Sequence, residues 1–203
     1  MKRFLFGFIA LLLAGGLLAA CGDDESSSGS GSSGSSSNAD FNDADVAFVQ
    51  GMIPHHEQAV EMAKLADSQA ESPEVKDLAM RIEEAQGPEI ETMKGFLKDW
   101  GKSESGGGDD DMGAGDDMGG DDEMSGGMMS DDEMAELEEA EGAEFDELFL
   151  TMMTEHHEGA VEMAQTEVDD GKNADAIALA EDIISAQEAE IEEMSGLLEG
   201  ASS

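Results

Sequence analysis

The sequence predicts an all-α protein in which a duplicated helical hairpin forms an up-down four-helix bundle. Apolar residues recur at helical spacing, and no segment alternates with the period of two that marks a strand. At an offset of 101, residues 45–97 align without a gap to residues 146–198, and roughly 22 of these 53 pairs are identical. A duplicated hairpin of this length predicts a bundle with pseudo-twofold symmetry.

The first hairpin is predicted over residues 41–100. Its first helix covers about 43–68, where Pro54 is expected to kink or break it just ahead of a pair of histidines. Its second helix covers about 73–100 and begins with a serine cap and a proline in the first turn.

The second hairpin is predicted over residues 131–199. Ser130 and Glu133 have the spacing of a capping box, and Gly142 is a candidate break before the helix continues to about Val168. Asn173 is a candidate cap for the last helix, which carries its apolar residues at helical spacing.

The remaining segments predict an exported, lipid-anchored chain. Residues 1–20 have the basic start and apolar run of a signal peptide, and the tetrapeptide ending at Cys21, the only cysteine, resembles a bacterial lipobox. That resemblance implies acylation of Cys21, followed by a Ser/Gly tether over residues 21–40. The alternative is a transmembrane anchor, for which the apolar run is only marginally long. Residues 101–130 are predicted to be a disordered insert rich in Gly, Asp and Met.

The formal net charge of −41 excludes nucleic acid as a partner, because phosphate binding requires clustered Lys and Arg. It also argues against docking of the protein surface on anionic lipid. The acidity serves solubility, or it steers cations toward the protein.

All four histidines lie in two matching motifs. His55 and His56 belong to one copy, and His156 and His157 to the other. Concentrating every histidine in two repeated motifs predicts two soft-metal sites. The alternative is that the imidazoles satisfy polar positions of the core.

Methionines accompany both motifs on the same helical face. Met52 and Met153 each lie three residues before the first histidine of a pair, so they share its face. Weaker candidate ligands, which are equally well explained as core residues, are Met62, Met163, Met93 and Met194.

The choice of ion follows from ligand softness. Thioether with imidazole suits Cu(I), and imidazole also serves Cu(II), so copper is the predicted ion, with silver a second candidate. A di-iron bundle would need Glu-x-x-His motifs, which this sequence replaces with Met-x-x-His. The insert and the residues just after it carry further methionines in a region predicted to have no core. These methionines could bind Cu(I) loosely, or they could reflect composition alone. They are Met112, Met118, Met124, Met128, Met129 and Met134.

The paired histidine motifs resemble a known family. The run from His55 to Ala63, its second copy at His156, and the Gln/Glu/Met sets around Glu89 and Glu190 are similar to the domain of unknown function 305. The resemblance implies a ferritin-like helical bundle, and for some members export and copper binding. The long acidic insert departs from the family pattern.

We therefore expect a non-enzymatic, extracytoplasmic lipoprotein that binds copper to sequester, buffer or deliver it. One alternative is a ferritin-like di-metal oxidoreductase that uses the histidines with Glu57, Glu89, Glu158 and Glu190. Another is a structural or interaction lipoprotein without metal. The sequence does not name a protein partner.

Overall fold

The computed structural model describes residues 40–104 and 126–200, with the backbone of Ala201. Predictions for the signal peptide, Cys21, the tether and Met112, Met118 and Met124 fall outside the described residues. The described chain is helical, with α1 over Asp43–Gln69, α2 over Pro73–Trp100, α3 over Asp131–Glu139, α4 over Ala143–Asp170 and α5 over Ala174–Ala201. Within these residues there is no strand, and a single isolated bridge joins Ala70 to Gly142.

Side-chain caps define four of the described helix starts, and at α5 the predicted cap Asn173 accepts the backbone N–H groups of Asp175 and Ala176. Asn42 accepts the backbone N–H groups of Ala44 and Asp45, and the Asp45 carboxylate returns to the Asn42 N–H in a capping box. Ser72 caps α2 ahead of its first-turn proline, and Ser130 forms the predicted capping box with Glu133 at α3. These caps satisfy N–H groups that have no partner inside a helix.

Pro54 does not end α1, so of the predicted kink or break, the break does not occur. The helix runs unbroken from Asp43 to Gln69 with Pro54 inside it. Proline removes one intrahelical hydrogen bond, and burial of the neighbouring Ile53, His55 and His56 stabilises the helix at this point.

Gly142 does interrupt the helical segment, as expected. The chain leaves α3 after Glu139, and Gly142 adopts φ 67°, which favours glycine, before α4 begins at Ala143. The short α3 is therefore an addition to the four long helices.

The long helices pack as two antiparallel hairpins. Helix α1 packs against α2, α4 packs against α5, and α1 and α4 form the main contact between the hairpins, with α2 against α5 completing the bundle. Each hairpin is closed by a three-residue connection, residues 70–72 and 171–173.

The pseudo-twofold relation is visible in two aspartates that cap the opposite hairpin. Asp45 on α1 accepts the backbone N–H groups of Lys172 and Asn173 at 3.0 and 2.7 Å. Asp146, its partner in the repeat, accepts those of Glu71 and Ser72 at 3.1 and 2.8 Å. Each start of α1 or α4 is thereby tied to the other hairpin's turn, which sets α1 antiparallel to α4.

The core has two clusters of buried apolar residues. One contains Leu78, Phe145 and Phe149, and the other contains Phe48, Ile90 and Ile183. Among the described helices, none combines the length and the apolarity needed to cross a membrane.

Candidate metal centre

The four histidines are buried in the middle of the bundle. His55 is 1% exposed, and His56, His156 and His157 are fully buried. Pairs of adjacent histidines on α1 and α4 reach the interior because these two helices face each other at the centre of the bundle.

The two motifs meet. The ring centroids of His55 and His156 lie 3.7 Å apart, with the rings tilted by 44°, and those of His156 and His157 lie 6.4 Å apart. The copies of the motif, about a hundred residues apart in sequence, therefore form one cluster of imidazoles.

Three of the four imidazoles have a hydrogen-bond acceptor near Nε2, which is a backbone carbonyl for His55 and a carboxylate for His56 and His157. Glu89 lies 2.9 Å from Nε2 of His56, and Glu190 lies 2.8 Å from Nε2 of His157. The carboxylates come from the second helix of each hairpin, α2 and α5. A carboxylate or carbonyl accepting from one ring nitrogen favours the tautomer whose other nitrogen carries a lone pair.

The Nδ1 atoms of all four histidines are buried and have no hydrogen-bond partner among the described residues. The same holds for Nε2 of His156, for both side-chain polar atoms of Gln86 and for Oε1 of Gln187. Buried polar atoms without partners cost free energy and call for an explanation, of which a bound ion is one.

His55 and His156 remain neutral at physiological pH. Burial lowers the pKa of His55 to about 4, and burial together with the neighbouring histidines lowers the pKa of His156 to about 2. Neutral imidazole is the form that binds a metal ion, so these rings need not lose a proton to do so.

The candidate methionines divide evenly between the two core clusters. One cluster contains Met52 of α1 and Met93 of α2, with Met163 of α4 packed against it. The other contains their repeat partners, Met153 of α4, Met194 of α5 and Met62 of α1. All are fully buried except Met163, which is partly buried, so their positions fit both core packing and thioether donation.

Two methionines near the insert are placed differently from the prediction. Met129 is buried to 4% exposure in the first core cluster, and Met134 packs against that cluster. Residues 126–130 lie against α1 and α4, and this packing brings Met129 into the core. The composition of this region did not indicate such a contact.

The carboxylates named for a di-metal centre do not converge. Glu57 and Glu158 are exposed, and Glu57 pairs with Lys94 at 2.8 Å. Over residues 40–104 and 126–200, no three His, Cys, Asp or Glu side chains, the four histidines included, are grouped as a set that could hold a metal ion. Ion binding at the histidine cluster therefore needs further donors, such as buried methionine sulfur, or a rearrangement of the imidazoles.

Sequence reasoning missed the contacts of Gly126 and Gln58. The Gly126 carbonyl accepts from Nε2 of His55 at 2.7 Å, and the Gln58 side chain binds the backbone of Met129. The one available signal was Gln58 itself, because its repeat partner in an otherwise matching nine-residue run is Gly159.

A helical bundle that buries an imidazole cluster, and buries methionines on the same helices, is that of a candidate soft-metal protein. The chain belongs to the family described as domain of unknown function (DUF305), whose model matches residues 45–198. Among curated proteins, no match was found.

Several solved structures share the fold. A family member from Streptomyces coelicolor, described as a secreted protein, is 30% identical, with a TM-score of 0.68 over 79% of this chain and 93% of its own. A fragment from Deinococcus radiodurans is 29% identical, with a TM-score of 0.66 over 77% and 96%. CopM in its Cu(I)-bound form is 31% identical, with a TM-score of 0.60 over 77% and 96%, and CopM is also known in Cu(II)-bound and Ag-bound forms.

Proposed function

We propose that this protein is an exported lipoprotein that binds soft metal ions, copper first and silver second, to sequester, buffer or deliver them outside the cytoplasm. The principal ligands are His55, His56, His156 and His157. Methionine sulfur from Met52 and Met153 comes next, and the other four candidate methionines are further donors. The protein binds its ion as cargo and is not an enzyme.

One observation carries the proposal. Four buried imidazoles present Nδ1 atoms without partners, while the Nε2 atoms of His56 and His157 are paired with carboxylates. Carboxylate–imidazole pairs of this kind orient a metal-binding histidine and raise its basicity. A purely structural histidine pair would instead be expected to satisfy both ring nitrogens.

The donor types favour a soft ion. Neutral imidazole and thioether suit Cu(I), whereas zinc sites are built from Cys, His and carboxylate. The Cu(I), Cu(II) and Ag forms of CopM support the same choice for this chain at the level of the family. Export is supported by the signal-like N-terminal sequence and by the relative described as secreted.

Metal titration tests the binding proposal. The full-length chain in detergent is titrated with Cu(I), Ag(I), Cu(II), Zn(II) and Fe(II), beside a variant in which all four histidines are replaced by Ala. We expect Cu(I) and Ag(I) to bind most tightly, and the variant to bind them at least tenfold more weakly, about 1.4 kcal/mol. Circular dichroism of the variant separates loss of ligands from loss of fold, and equal binding by both proteins would contradict the proposal.

Cys21 tests the anchor separately. In a bacterial host, the wild-type chain is expected in the membrane fraction with the mass increase of acylation. Cys21→Ala is expected to lack that mass increase and to be processed poorly. An unacylated wild-type chain would contradict the lipoprotein assignment. It would not bear on the proposal that the protein binds metal.

A further inference from the structure

Residues 126–130, the last five of the predicted insert, lie across α1 and α4 just ahead of α3, and we call them the strap. The Gly126 carbonyl accepts a hydrogen bond from Nε2 of His55 at 2.7 Å. Three residues further on, the Gln58 side chain donates to the Met129 carbonyl and accepts from the Met129 N–H, both at 2.8 Å. The Met129 side chain is buried in the core, so the strap is held at both ends.

The close approach of the strap to α4 depends on Gly159. A Cβ atom at position 159 would lie 1.8 Å from the Gly126 carbonyl oxygen and 2.7 Å from the Gly127 nitrogen, distances that no side chain can occupy. Gly126 and Gly127 have φ values of 80° and 77°, which favour glycine, and a Cβ at Gly127 would lie 2.4 Å from the Glu155 carbonyl oxygen. Backbone is therefore packed directly on backbone at this crossing.

The duplicated motifs differ at the position that holds the strap. The run from His55 to Ala63 matches the run from His156 to Ala164 at eight of nine positions, and the exception is Gln58 against Gly159. Gln58 binds the strap backbone from α1, while Gly159 makes room for it on α4. The two halves of the repeat thus carry complementary residues for one strap.

The strap also makes His55 and its repeat partner His156 inequivalent. His55 has the Gly126 carbonyl at Nε2, whereas neither ring nitrogen of His156 has a hydrogen-bond partner among the described residues. Because a carbonyl can only accept, it requires His55 to carry its proton on Nε2 and to present a lone pair at Nδ1.

We propose that the strap is a positioning and covering element of the histidine cluster. Its Gly126 carbonyl fixes His55 in the tautomer that binds an ion through Nδ1, and its backbone, packed on Gly159, covers this side of the cluster. The strap slows ion exchange at His55, and Gln58 and Gly159 set how often it lifts. The part of this proposal that concerns ion exchange rests on the proposed function, and the part that concerns the tautomer does not.

Gly159→Ala tests the proposal, because the added methyl group cannot coexist with the strap in place. Gly95→Ala and Gly196→Ala are matched controls, since these helical glycines are repeat partners and a Cβ at either meets nothing within 4 Å. Gln58→Ala is a second test variant that loosens the strap without adding a group to α4, and it decides the outcome if Gly159→Ala does not fold.

Three measurements on the full-length chain are made for each variant. In the metal-free protein, we expect the Met129 amide of Gly159→Ala to exchange hydrogen at least tenfold faster than in wild type. We also expect the ¹⁵N shifts of the His55 ring to move from a single Nε2-protonated tautomer toward a mixture. In the Ag(I)-loaded protein, release of the ion to a chelator should be at least tenfold faster. The two controls should match wild type throughout.

The outcomes are distinguishable. A released strap in Gly159→Ala with an unchanged His55 tautomer and an unchanged release rate would overturn the proposal, as would a Met129 amide unprotected in wild type. A wild-type chain that binds neither Cu(I) nor Ag(I) would overturn the proposed function and the exchange role together. In that case the ¹⁵N shifts of the metal-free protein would still decide whether the strap positions His55.

Discussion

The imidazole rings of His55 and His156 lie with their centroids 3.7 Å apart where α1 faces α4. The rings come from equivalent positions of the repeat, so the pseudo-twofold relation of the bundle brings the two motifs into contact. The two motifs were predicted to form two soft-metal sites, and the structure places their histidines together in the core. An ion bound at one motif would therefore change the electrostatic environment and the packing of the other.

The carboxylates paired with His56 and His157 should contribute to both folding stability and metal affinity. Glu89→Ala removes the acceptor of His56 Nε2 and leaves a buried N–H without a partner. We expect a loss of about 1–3 kcal/mol in the free energy of unfolding and a Cu(I) affinity lower by about 10–100-fold. Urea unfolding and competition with a Cu(I) chelator measure the two effects.

The matched control for that change is Glu57→Ala, which removes an exposed carboxylate paired with Lys94. It should cost less than about 1 kcal/mol and leave Cu(I) affinity unchanged. If both variants weaken binding equally, the acidic surface attracts the ion and the Glu89–His56 pair has no special part.

The thioethers can be separated from their packing role by leucine. Met52→Leu and Met153→Leu keep a side chain of similar volume at fully buried positions, so each should cost less than about 1.5 kcal/mol in stability. If the sulfur atoms are donors, Cu(I) and Ag(I) affinity falls while Cu(II) affinity changes less, because thioether favours the softer ions. Met80→Leu, at a position 51% exposed, is the control. Unchanged Cu(I) affinity in the double variant would assign Met52 and Met153 to packing alone.

The crossed aspartate caps should hold the two hairpins together. Asp45→Ala removes the acceptor of two backbone N–H groups in the turn before α5 and of the Asn42 N–H. We expect a loss of about 1–3 kcal/mol, seen in urea unfolding, and faster hydrogen exchange at Lys172 and Asn173. Asp43→Ala, an exposed neighbour in the same first turn, should change stability by less than about 0.5 kcal/mol. Equal effects of the two variants would contradict the role of the caps.

The raised pKa of Glu167 should make the free energy of unfolding depend on pH. It is buried beside Asp45, and burial, reinforced by that neighbouring carboxylate, raises the pKa of Glu167 from 4.5 to about 8. Between these two values the folded state binds more protons than the unfolded state, so the free energy of unfolding falls as pH rises through this window. Hydrogen bonds from backbone N–H groups outweigh the effect of burial and lower the pKa of Asp45, which therefore stays charged.

Glu167→Gln tests this dependence. The amide cannot ionise, so the variant should gain stability relative to wild type between pH 5.5 and pH 8.5, which thermal unfolding at both values measures. Glu162→Gln, an exposed position on the same helix, should follow wild type. A constant difference between Glu167→Gln and wild type at the two pH values would show that Glu167 is not protonated in the folded protein.

The fold was predictable because local patterns and the repeat agree. The caps at Ser72 and Ser130 and the break at Gly142 are local chemistry, and the repeat required two similar hairpins. The effect of Pro54 was not predictable, because the packing around it outweighs the local preference of proline. Contacts such as Asp45 with the turn before α5 depend on how the hairpins cross, which no local pattern specifies.

For the candidate site, the four histidines could be named from the sequence because they all lie in two matching motifs. The contact of the strap with His55 could not be predicted, because a backbone carbonyl leaves no mark in the sequence. Gln58 against Gly159, the one difference within the matched motifs, was the only sign that something binds there asymmetrically.

Copper binding by the four buried histidines is tested most directly by competition between the full-length protein and a Cu(I) chelator, for wild type and for the variant with all four histidines replaced by Ala. We expect wild type to take Cu(I) from the chelator, and the folded variant to bind Cu(I) at least tenfold more weakly, about 1.4 kcal/mol. Equal competition by both folded proteins would contradict this expectation and would show that the four buried imidazoles hold the core without holding an ion.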